Sequence, residues 1–284
     1  MSTTAFRCAI TRDVITATGK DARTFLHSQL SNDITGLPIG AVTHAFILDP
    51  NGKLNAFFRV RCIADDHFML DVDAGCGDSA VARLNKFKIR VQCNFELRSE
   101  VVTAVRGLTA AACADLLALP GAVAAWRARD GAVDILGAMP SLVQAIRSGS
   151  DAEYHEERVR CAWPLFGVDI TEASLPAETG LIDVAVSFTK GCYPGQELVE
   201  RMDSRGSTAP RTLMRLPARM AAQTPGDVRT LAMVGRPYMV VSDGNIVDIG
   251  ICTSVAGEYT LVLVARAHIR LADAMIRPAG SSVE

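Results

Sequence analysis

Residues 190–197 read KGCYPGQE, and this octapeptide is the most informative stretch of the chain. The apolar run 184–188 predicts a strand before it and residues 196–202 predict a helix after it, so Cys192 would lie at the turn between them. Unpaired amides at a helix start favour an anion, and the ammonium of Lys190 has the same effect. The pattern therefore predicts a lowered pKa for the Cys192 thiol and a larger thiolate fraction.

Two glycines, Gly191 and Gly195, flank this cysteine. Glycine adopts backbone angles that other residues avoid, and it lets a ligand come close to the backbone. A buried cysteine in a glycine-rich turn would have the same local sequence. Both interpretations stay open at this level.

The composition predicts a folded chain with a large core. Its 284 residues are 49% hydrophobic and 21% charged, which suits two domains or a compact three-part molecule. The net charge of −2 provides no overall basic field, so we expect no stable binding to nucleic acid or to an anionic membrane. The N-terminal residues lack the apolar core of a secretory signal and no run approaches roughly 18 apolar residues, so we expect a cytoplasmic protein without a membrane span.

Eight cysteines are spread along the chain, and the closest two, Cys62 and Cys76, are 14 residues apart. No Cys-x-x-Cys unit is present, so we expect no metal site, and free thiols rather than disulfides. A hydrolase-type nucleophile at Cys192 would need a histidine base, which only the fold could bring near. The candidates are His27, His44, His67, His155 and His268.

Periodicity predicts a mixture of helices and mainly antiparallel strands, with a long ordered loop at 163–183. Helices are predicted at residues 21–30, 79–88, 109–119, 141–147 and 151–162. Strands are predicted at 44–48, 54–62, 67–72, 90–98 and 101–105, and then at 212–216, 238–242, 246–253 and 259–265. The last four lack intervening helices, which is typical of a small barrel or sandwich beginning near residue 206.

The octapeptide 190–197 resembles the signature of the YgfZ family, folate-binding relatives of the glycine-cleavage T-protein, an aminomethyltransferase. Further stretches are similar to that family in the same order along nearly the whole chain. They are 25–33 (FLHSQLSND), 48–54 (LDPNGKL), 163–170, 176–178, 205–206 and 248–254.

This resemblance implies an α+β fold, a T-protein-like ring of α/β subdomains around a central folate-type cavity, with a C-terminal β-barrel. The implied division is a discontinuous folate-binding core of residues 1–100 and 151–205, a small inserted α+β subdomain at 101–150, and the barrel at 206–284.

The resemblance also implies a set of site residues. Cys192 would face the central cavity as the working thiol, with Lys190 tuning its pKa. Glu178 would anchor the pterin ring and Tyr154 would lie against the folate. The other cofactor-binding candidates are Gly191, Tyr193, Gly195 and Arg205.

Charged residues near the octapeptide suit the same ligand. The loop carboxylates are Asp169, Glu172, Glu178 and Asp183, and the basic group is Lys190, Arg201, Arg205 and Arg211. The basic group could meet the glutamate tail of a folate or RNA phosphate, and a solvated cationic rim is an equally good interpretation.

One departure separates the chain from aminomethyltransferases, which carry a carboxylate in the first hairpin. Here residues 52–58 read GKLNAFF, with no Asp or Glu to orient or protonate the folate amine. The resemblance then implies an accessory protein that binds tetrahydrofolate or a one-carbon derivative and supports iron–sulfur proteins and tRNA modification. The alternatives are a folate-dependent aminomethyl or methyl transferase that uses Glu172 or Asp183, and a module that only binds RNA or protein.

Overall fold

The computed structural model describes residues 5–204, 209–220 and 231–276. Within these ranges the strands are β1 Phe6–Thr18, β2 Val42–Leu48, β3 Leu54–Ala64, β4 His67–Asp73, β5 Asn94–Arg106, β6 Ala122–Ala124, β7 Val133–Ile135, β8 Arg211–Pro217, β9 Pro237–Ser242, β10 Asn245–Ala256 and β11 Tyr259–Ala265. The helices are α1 Ala22–Gln29, α2 Gly77–Lys86, α3 Ala110–Leu117, α4 Ser141–Gln144, α5 Asp151–Arg160, α6 Ile182–Ala185, α7 Gln196–Ser204 and α8 Ile269–Ile276.

The larger sheet has seven antiparallel strands in the order β2-β3-β4-β1-β5-β7-β6. Its centre is the pair β1 and β5, in register from Phe6 opposite Arg106 to Thr18 opposite Asn94. The strands predicted at 90–98 and 101–105 are one strand, β5, which runs through residue 100. The segment 101–150 therefore continues this sheet through β7 and β6.

Both faces of this sheet are covered, as β3 illustrates. Phe58 packs into the cluster beneath α1 and α2, whereas its neighbour Phe57 packs into a second cluster with Trp126, Trp163 and Tyr193 on the other face. This second face carries the loops that follow α5, including the octapeptide. It is the face on which the candidate site is built.

The C-terminal unit is a four-stranded antiparallel sheet in the order β8-β11-β10-β9. A buried ion pair connects it to the rest of the chain. Arg158 of α5 donates to Asp169 and to Ser254 of β10, each at 2.7 Å, and Ser254 Oγ donates to the other carboxylate oxygen of Asp169 at 2.7 Å. The predicted α+β class is confirmed, with the strands of the last part gathered in one C-terminal sheet.

The prediction of a strand at 184–188 is wrong. Residues 182–185 form the short helix α6. The backbone around its end is bonded to Ser31, which follows α1, and is not part of a strand ladder. Ser31 Oγ donates to the Ala185 carbonyl at 2.6 Å, and the Ser187 amide donates to the Ser31 carbonyl at 2.9 Å. Val184, Ala185 and Val186 of this run pack into the second cluster, whereas Phe188 is exposed.

Asp21 precedes α1 as its N-cap residue, but its side chain makes no capping hydrogen bond. Its carboxylate instead accepts the Gln92 amide at 2.8 Å, which ties the helix start to the segment before β5. Across the described ranges, we find no helix with the length and apolar character needed to cross a bilayer.

Candidate functional site

The octapeptide is pressed against the turn of the β2–β3 hairpin by two glycines. Gly195 has φ +81° and Gly52 has φ +75°, both in the region that favours glycine. A Cβ on Gly195 would lie 2.6 Å from the Asp49 carbonyl oxygen and 2.9 Å from the Gly52 Cα. Gly195 was predicted to let a ligand approach, and in the structure the approaching group is the hairpin backbone.

Cys192 is the exposed thiol of the chain. All eight cysteines lie in the described ranges; five are buried, two are half-buried and Cys192 is exposed. It lines an open surface groove of about 610 Å³ together with the hairpin residues Pro50 and Asn51 and, from α7, Glu197 and Arg201. The buried-cysteine interpretation therefore does not hold for Cys192.

Lys190 attaches the octapeptide to the end of α1. Its Nζ donates to the carbonyl of His27 and, at 2.6 Å, to that of Leu30. Cations are favourable at a helix C-terminus because the last carbonyls lack intrahelical partners. Burial lowers the pKa of Lys190 to about 8, and the charges of Asp33 and Cys192 act in the opposite direction.

His27 is the histidine that the fold brings to the octapeptide. Its Nε2 lies 4.0 Å from the position that a Cβ on Gly191 would take. Its Nδ1 lies 3.3 Å from the amide nitrogens of Ile34 and Thr35 and 3.1 Å from Asp33 Oδ1. Burial and the charge of Lys190 lower the pKa of His27. The ring is thus held at Nδ1 by the Asp33 carboxylate and the loop after α1, and its Nε2 is the nitrogen nearer to Gly191.

Tyr193 faces inward, next to the outward-facing thiol. It is 6% exposed and packs with Phe46 and Trp163 in the second cluster. Burial raises the pKa of Tyr193 to about 12, so the phenol stays neutral. Because Tyr193 takes the inward side, Cys192 does not line the central cavity, and the expectation that it faces this cavity is wrong.

The central cavity is lined by residues of β1–β5 and β7, by Tyr154 of α5 and by the segments around Trp126 and Trp163. Its volume is about 20 Å³. Five rings line it: Phe57, Trp126, Trp163, Tyr154 and His44. Burial and the charge of Arg59 lower the pKa of His44 to about 4, so this ring is neutral at pH 7. Tyr154, a predicted folate contact, does lie in this cavity.

A buried ion network forms one wall of the cavity. Asp134 pairs with Arg59 at 2.7 Å and with Arg106 at 2.8 Å. Burial alone would raise the pKa of Asp134, but Arg106 and Arg59 hold it down at about 2. Arg59 also pairs with Asp71 at 2.8 Å.

Sequence reasoning missed this network. Its signal is opposite charges in cross-strand register, Arg59 opposite Asp71 on β3 and β4 and Arg12 opposite Asp73 on β1 and β4. The pairing becomes visible only when the strand register is known.

Glu178 is placed away from the cavity. It is 1% exposed, pairs with Arg211 of β8 at 3.0 Å and accepts the Leu175 amide at 2.9 Å. The carboxylate of Asp169 pairs with Arg158, and that of Asp183 lies 3.5 Å from Arg127. None of these three carboxylates lines the central cavity.

The structure thus brings Lys190, Gly191, Cys192, Tyr193 and Gly195 into one turn. Tyr154 lies in the central cavity and Glu178 lies beside β8, so the predicted site residues fall in three places. Arg205 lies outside the described residues.

Comparisons with known proteins identify relatives of this chain by sequence. The chain is 29% identical over 235 residues to the tRNA-modifying protein YgfZ of Vibrio vulnificus, covering 75% of this chain and 69% of that protein. It is 30% identical over 220 residues to the human mitochondrial iron–sulfur cluster assembly factor IBA57, covering 69% of this chain and 61% of the relative. No protein-family model matches the chain.

The fold has a counterpart among solved structures. The aminomethyltransferase of the glycine cleavage system from Bartonella henselae superposes with a TM-score of 0.71 at 20% identity, over 93% of this chain and 79% of that one. Likeness at this identity describes the fold alone. The chain is similar in sequence to proteins named YgfZ and IBA57, and it is built on the aminomethyltransferase fold.

Proposed function

We propose that the chain is a folate-binding accessory protein for the assembly or repair of iron–sulfur proteins, with Cys192 as its working thiol. The observation that carries the proposal is the exposure of this single cysteine in a turn that is rigidly supported on both sides. Lys190 fixes the turn to α1, and the contact between Gly52 and Gly195 fixes it to the hairpin. A thiol held in this way is presented to a partner rather than to the interior.

The names of the relatives support this direction. One is called an iron–sulfur cluster assembly factor and another a tRNA-modifying protein. Clusters are held by several ligands, usually four cysteines, so one thiol can take part only together with groups supplied by a partner. Iron–sulfur proteins are therefore the partners that we propose, and the effect on tRNA modification would pass through them.

The central cavity is the place we propose for a folate-type cofactor. Aromatic faces at Tyr154, Trp126 and Trp163 suit a flat heterocycle, and the carboxylate of Asp134 suits its ring N–H groups. Bound tetrahydrofolate would supply a carried one-carbon unit. The cavity of about 20 Å³ has room for about one water, and Arg59 and Arg106 already pair with the two oxygens of Asp134, so a folate ring does not fit this arrangement and its binding requires side chains to move.

In this proposal, residues of the central cavity bind the cofactor and the octapeptide turn presents the thiol. Tyr154 and Asp134 would bind and orient the ring, and the neutral ring of His44 would close the same space without adding charge. Tyr193 links the places, because it packs in the same cluster as Trp163 while its neighbour Cys192 is exposed. The transferase alternative, with Glu172 or Asp183 as its carboxylate, has less support because neither residue lines the cavity.

The test is complementation of a strain that lacks this gene, scoring an iron–sulfur enzyme and a cluster-dependent tRNA modification. We expect rescue by wild type and by Cys76→Ala, a matched removal of a half-buried thiol, and no rescue by Cys192→Ala or Cys192→Ser. If both Cys192 variants rescue fully, the thiol role is wrong. If loss of the gene lowers neither activity, the accessory function fails and the transferase has to be tested by release of methylene-tetrahydrofolate.

A further inference from the structure

A second surface groove lies between the end of α5, the segment that joins β6 to β7, and the C-terminal unit. Its volume is about 420 Å³. Among the described residues, it shares none of its lining with the central cavity or with the groove at Cys192. We call it the arginine groove. Its cationic residues are Arg129, Arg160 and Arg215, and its apolar residues include Ala162, Met214 and Ile276.

Two of the three arginines are held in place by the protein. Arg160 bonds the Glu157 carboxylate through Nε at 2.7 Å and through Nη2 at 2.6 Å. Arg215 of β8 donates from Nη1 to the carbonyl of Arg160, and its guanidinium carbon lies 4.7 Å from the centroid of the Tyr259 ring. The guanidinium of Arg215 is therefore fixed from one end and from one face.

These contacts leave donors unused. Within the described part of the chain, Nε and Nη2 of Arg215 and Nη1 of Arg160 bond no protein acceptor. The Arg129 side chain is 76% exposed, and its Nε lies 3.9 Å from Asp130 Oδ1, which is too long for a hydrogen bond. Nε and Nη2 together form the edge of a guanidinium that bonds a carboxylate through two parallel hydrogen bonds. Arg215 thus presents this bidentate edge to a ligand.

The charge of the groove suits one further anionic group. Its three arginines are opposed by the carboxylate of Asp130, which lines the groove, and by that of Glu157, which is bonded to Arg160. Cys161 also lines the groove but adds no charge, because burial and the charge of Asp130 raise the pKa of this thiol to about 12. The surplus is one positive charge, which a carboxylate neutralises and a phosphate dianion would exceed.

The size and the apolar residues of the groove indicate a ligand larger than a bare ion. Sites for small molecules typically enclose about 300–1,000 Å³ and combine apolar side chains with a few placed polar groups. Met214 and Ile276 supply apolar surface here, and Ile276 is 44% exposed. An apolar body attached to the anionic group would remove this surface from water.

We propose that the arginine groove is a binding site for a small organic carboxylate. The Nε–Nη2 edge of Arg215 holds the carboxylate, Arg160 and Arg129 add positive charge, and the apolar body of the ligand covers Met214 and Ile276. This site goes beyond the proposed function, because neither the cavity proposed for folate nor the turn at Cys192 uses any of its residues.

The probe is phenylacetate, which joins one carboxylate to an apolar ring. It is titrated into the full-length ¹⁵N-labelled protein, and the amide chemical shifts report both its affinity and its place. Phenylacetamide has a similar shape without the charge, acetate has the charge without the ring, and phenyl phosphate has phosphate in place of the carboxylate. The variants are Arg215→Gln and Arg129→Gln. Arg266→Gln is the control, since Arg266 is exposed and lies outside the groove.

We expect saturable binding of phenylacetate to wild type and to Arg266→Gln with the same dissociation constant, and shifts at the amides of Cys161 and Met214. Arg215→Gln should weaken binding by about tenfold or more, because it removes two charge-assisted hydrogen bonds. Arg129→Gln should weaken it by about two- to fivefold, because this charge is exposed. Phenylacetamide and acetate should each bind to wild type at least about tenfold more weakly than phenylacetate.

Four results would overturn the proposal. They are no saturable binding at the groove, equal affinity for phenylacetamide and phenylacetate, equal affinity for acetate, and tighter binding of phenyl phosphate than of phenylacetate. Circular dichroism establishes that each variant is folded, and Arg129→Gln decides if Arg215→Gln is not. An unchanged affinity in the deciding variant would also overturn the assignment. Complementation by the Cys192 variants does not depend on this groove, so failure here leaves the proposed function standing.

Discussion

The octapeptide turn and the central cavity are built in opposite ways. The turn uses residues that are adjacent in sequence, exposes its reactive group, and is held by backbone contacts at Gly52 and Gly195. The cavity uses residues far apart in sequence, hides its charges, and is held by the ion pairs of Asp134. The difference indicates that substitutions in the cavity should change stability strongly, whereas substitutions of the exposed thiol should change function alone.

The largest expected effect is at Asp134. Asp134→Asn leaves Arg59 and Arg106 buried with less compensating charge, and breaking a buried pair in this way typically costs about 3–5 kcal/mol. Urea unfolding measures the loss. Asp65→Asn is the control, since the 89% exposed carboxylate of Asp65 pairs at the surface with Arg23, where the expected cost is about 0–1 kcal/mol. Similar unfolding midpoints for the two variants would contradict the structural role of the cavity network.

A backbone substitution in the turn should come next. Gly195→Ala adds a Cβ 2.6 Å from the Asp49 carbonyl at a positive φ, so we expect a loss of about 3 kcal/mol. Gly167→Ala separates the two causes, because Gly167 has φ +87° with no atom within 4 Å of its Cβ position, and should lose only about 1 kcal/mol. Equal losses would mean that the close approach of the hairpin contributes nothing.

Lowering the pH from about 4 to about 2 should reduce the free energy of unfolding, because Asp134 becomes protonated. The pKa of Asp134 is about 2 in the folded chain and about 3.9 in an unfolded one, so its ionised form stabilises the fold above about pH 4 and this contribution is lost as pH falls toward 2. We expect up to about 2.6 kcal/mol from this group. Comparing the pH dependence of urea unfolding for wild type and Asp134→Asn measures it. An identical slope between pH 4 and pH 2 would show that Asp134 does not titrate there.

The smallest stability effect is expected at Cys192. Cys192→Ser replaces an exposed side chain away from any packed contact and should change the free energy of unfolding by less than about 0.5 kcal/mol. The same exposure should make Cys192 the first of the eight thiols to react with iodoacetamide under native conditions, as peptide mass spectrometry would show. Faster labelling of a buried thiol such as Cys113 would contradict the arrangement of the turn.

Local signals allowed much of the fold to be predicted. The Asp49–Gly52 turn joins two strands as expected, because Asp49 Oδ1 accepts the amides of Asn51 and Lys53 at 2.8 Å each and Gly52 takes a positive φ. Helix α5 begins at the predicted Asp151 because Ser150 caps it. Such features depend on neighbours in sequence, which is why the pattern contains them.

The rest depends on contacts between distant segments. Strand β1 has no clear alternation because both of its faces meet other residues, and so it escapes a reading based on periodicity. The octapeptide could be recognised, but the direction of Cys192 depends on Tyr193 packing inward against Phe46 and Trp163. The cavity charges become meaningful only once β1, β3 and β4 are in register.

The buried contact of Arg158 with Asp169 and Ser254 has a consequence for how the molecule unfolds. Because Ser254 of β10 bonds both Arg158 of α5 and Asp169 of the loop after it, releasing the C-terminal sheet alone would leave this buried ion pair without the hydroxyl that bonds both of its partners. The two sheets should therefore lose their hydrogen-exchange protection together, as one cooperative unit, although they share no strand ladder.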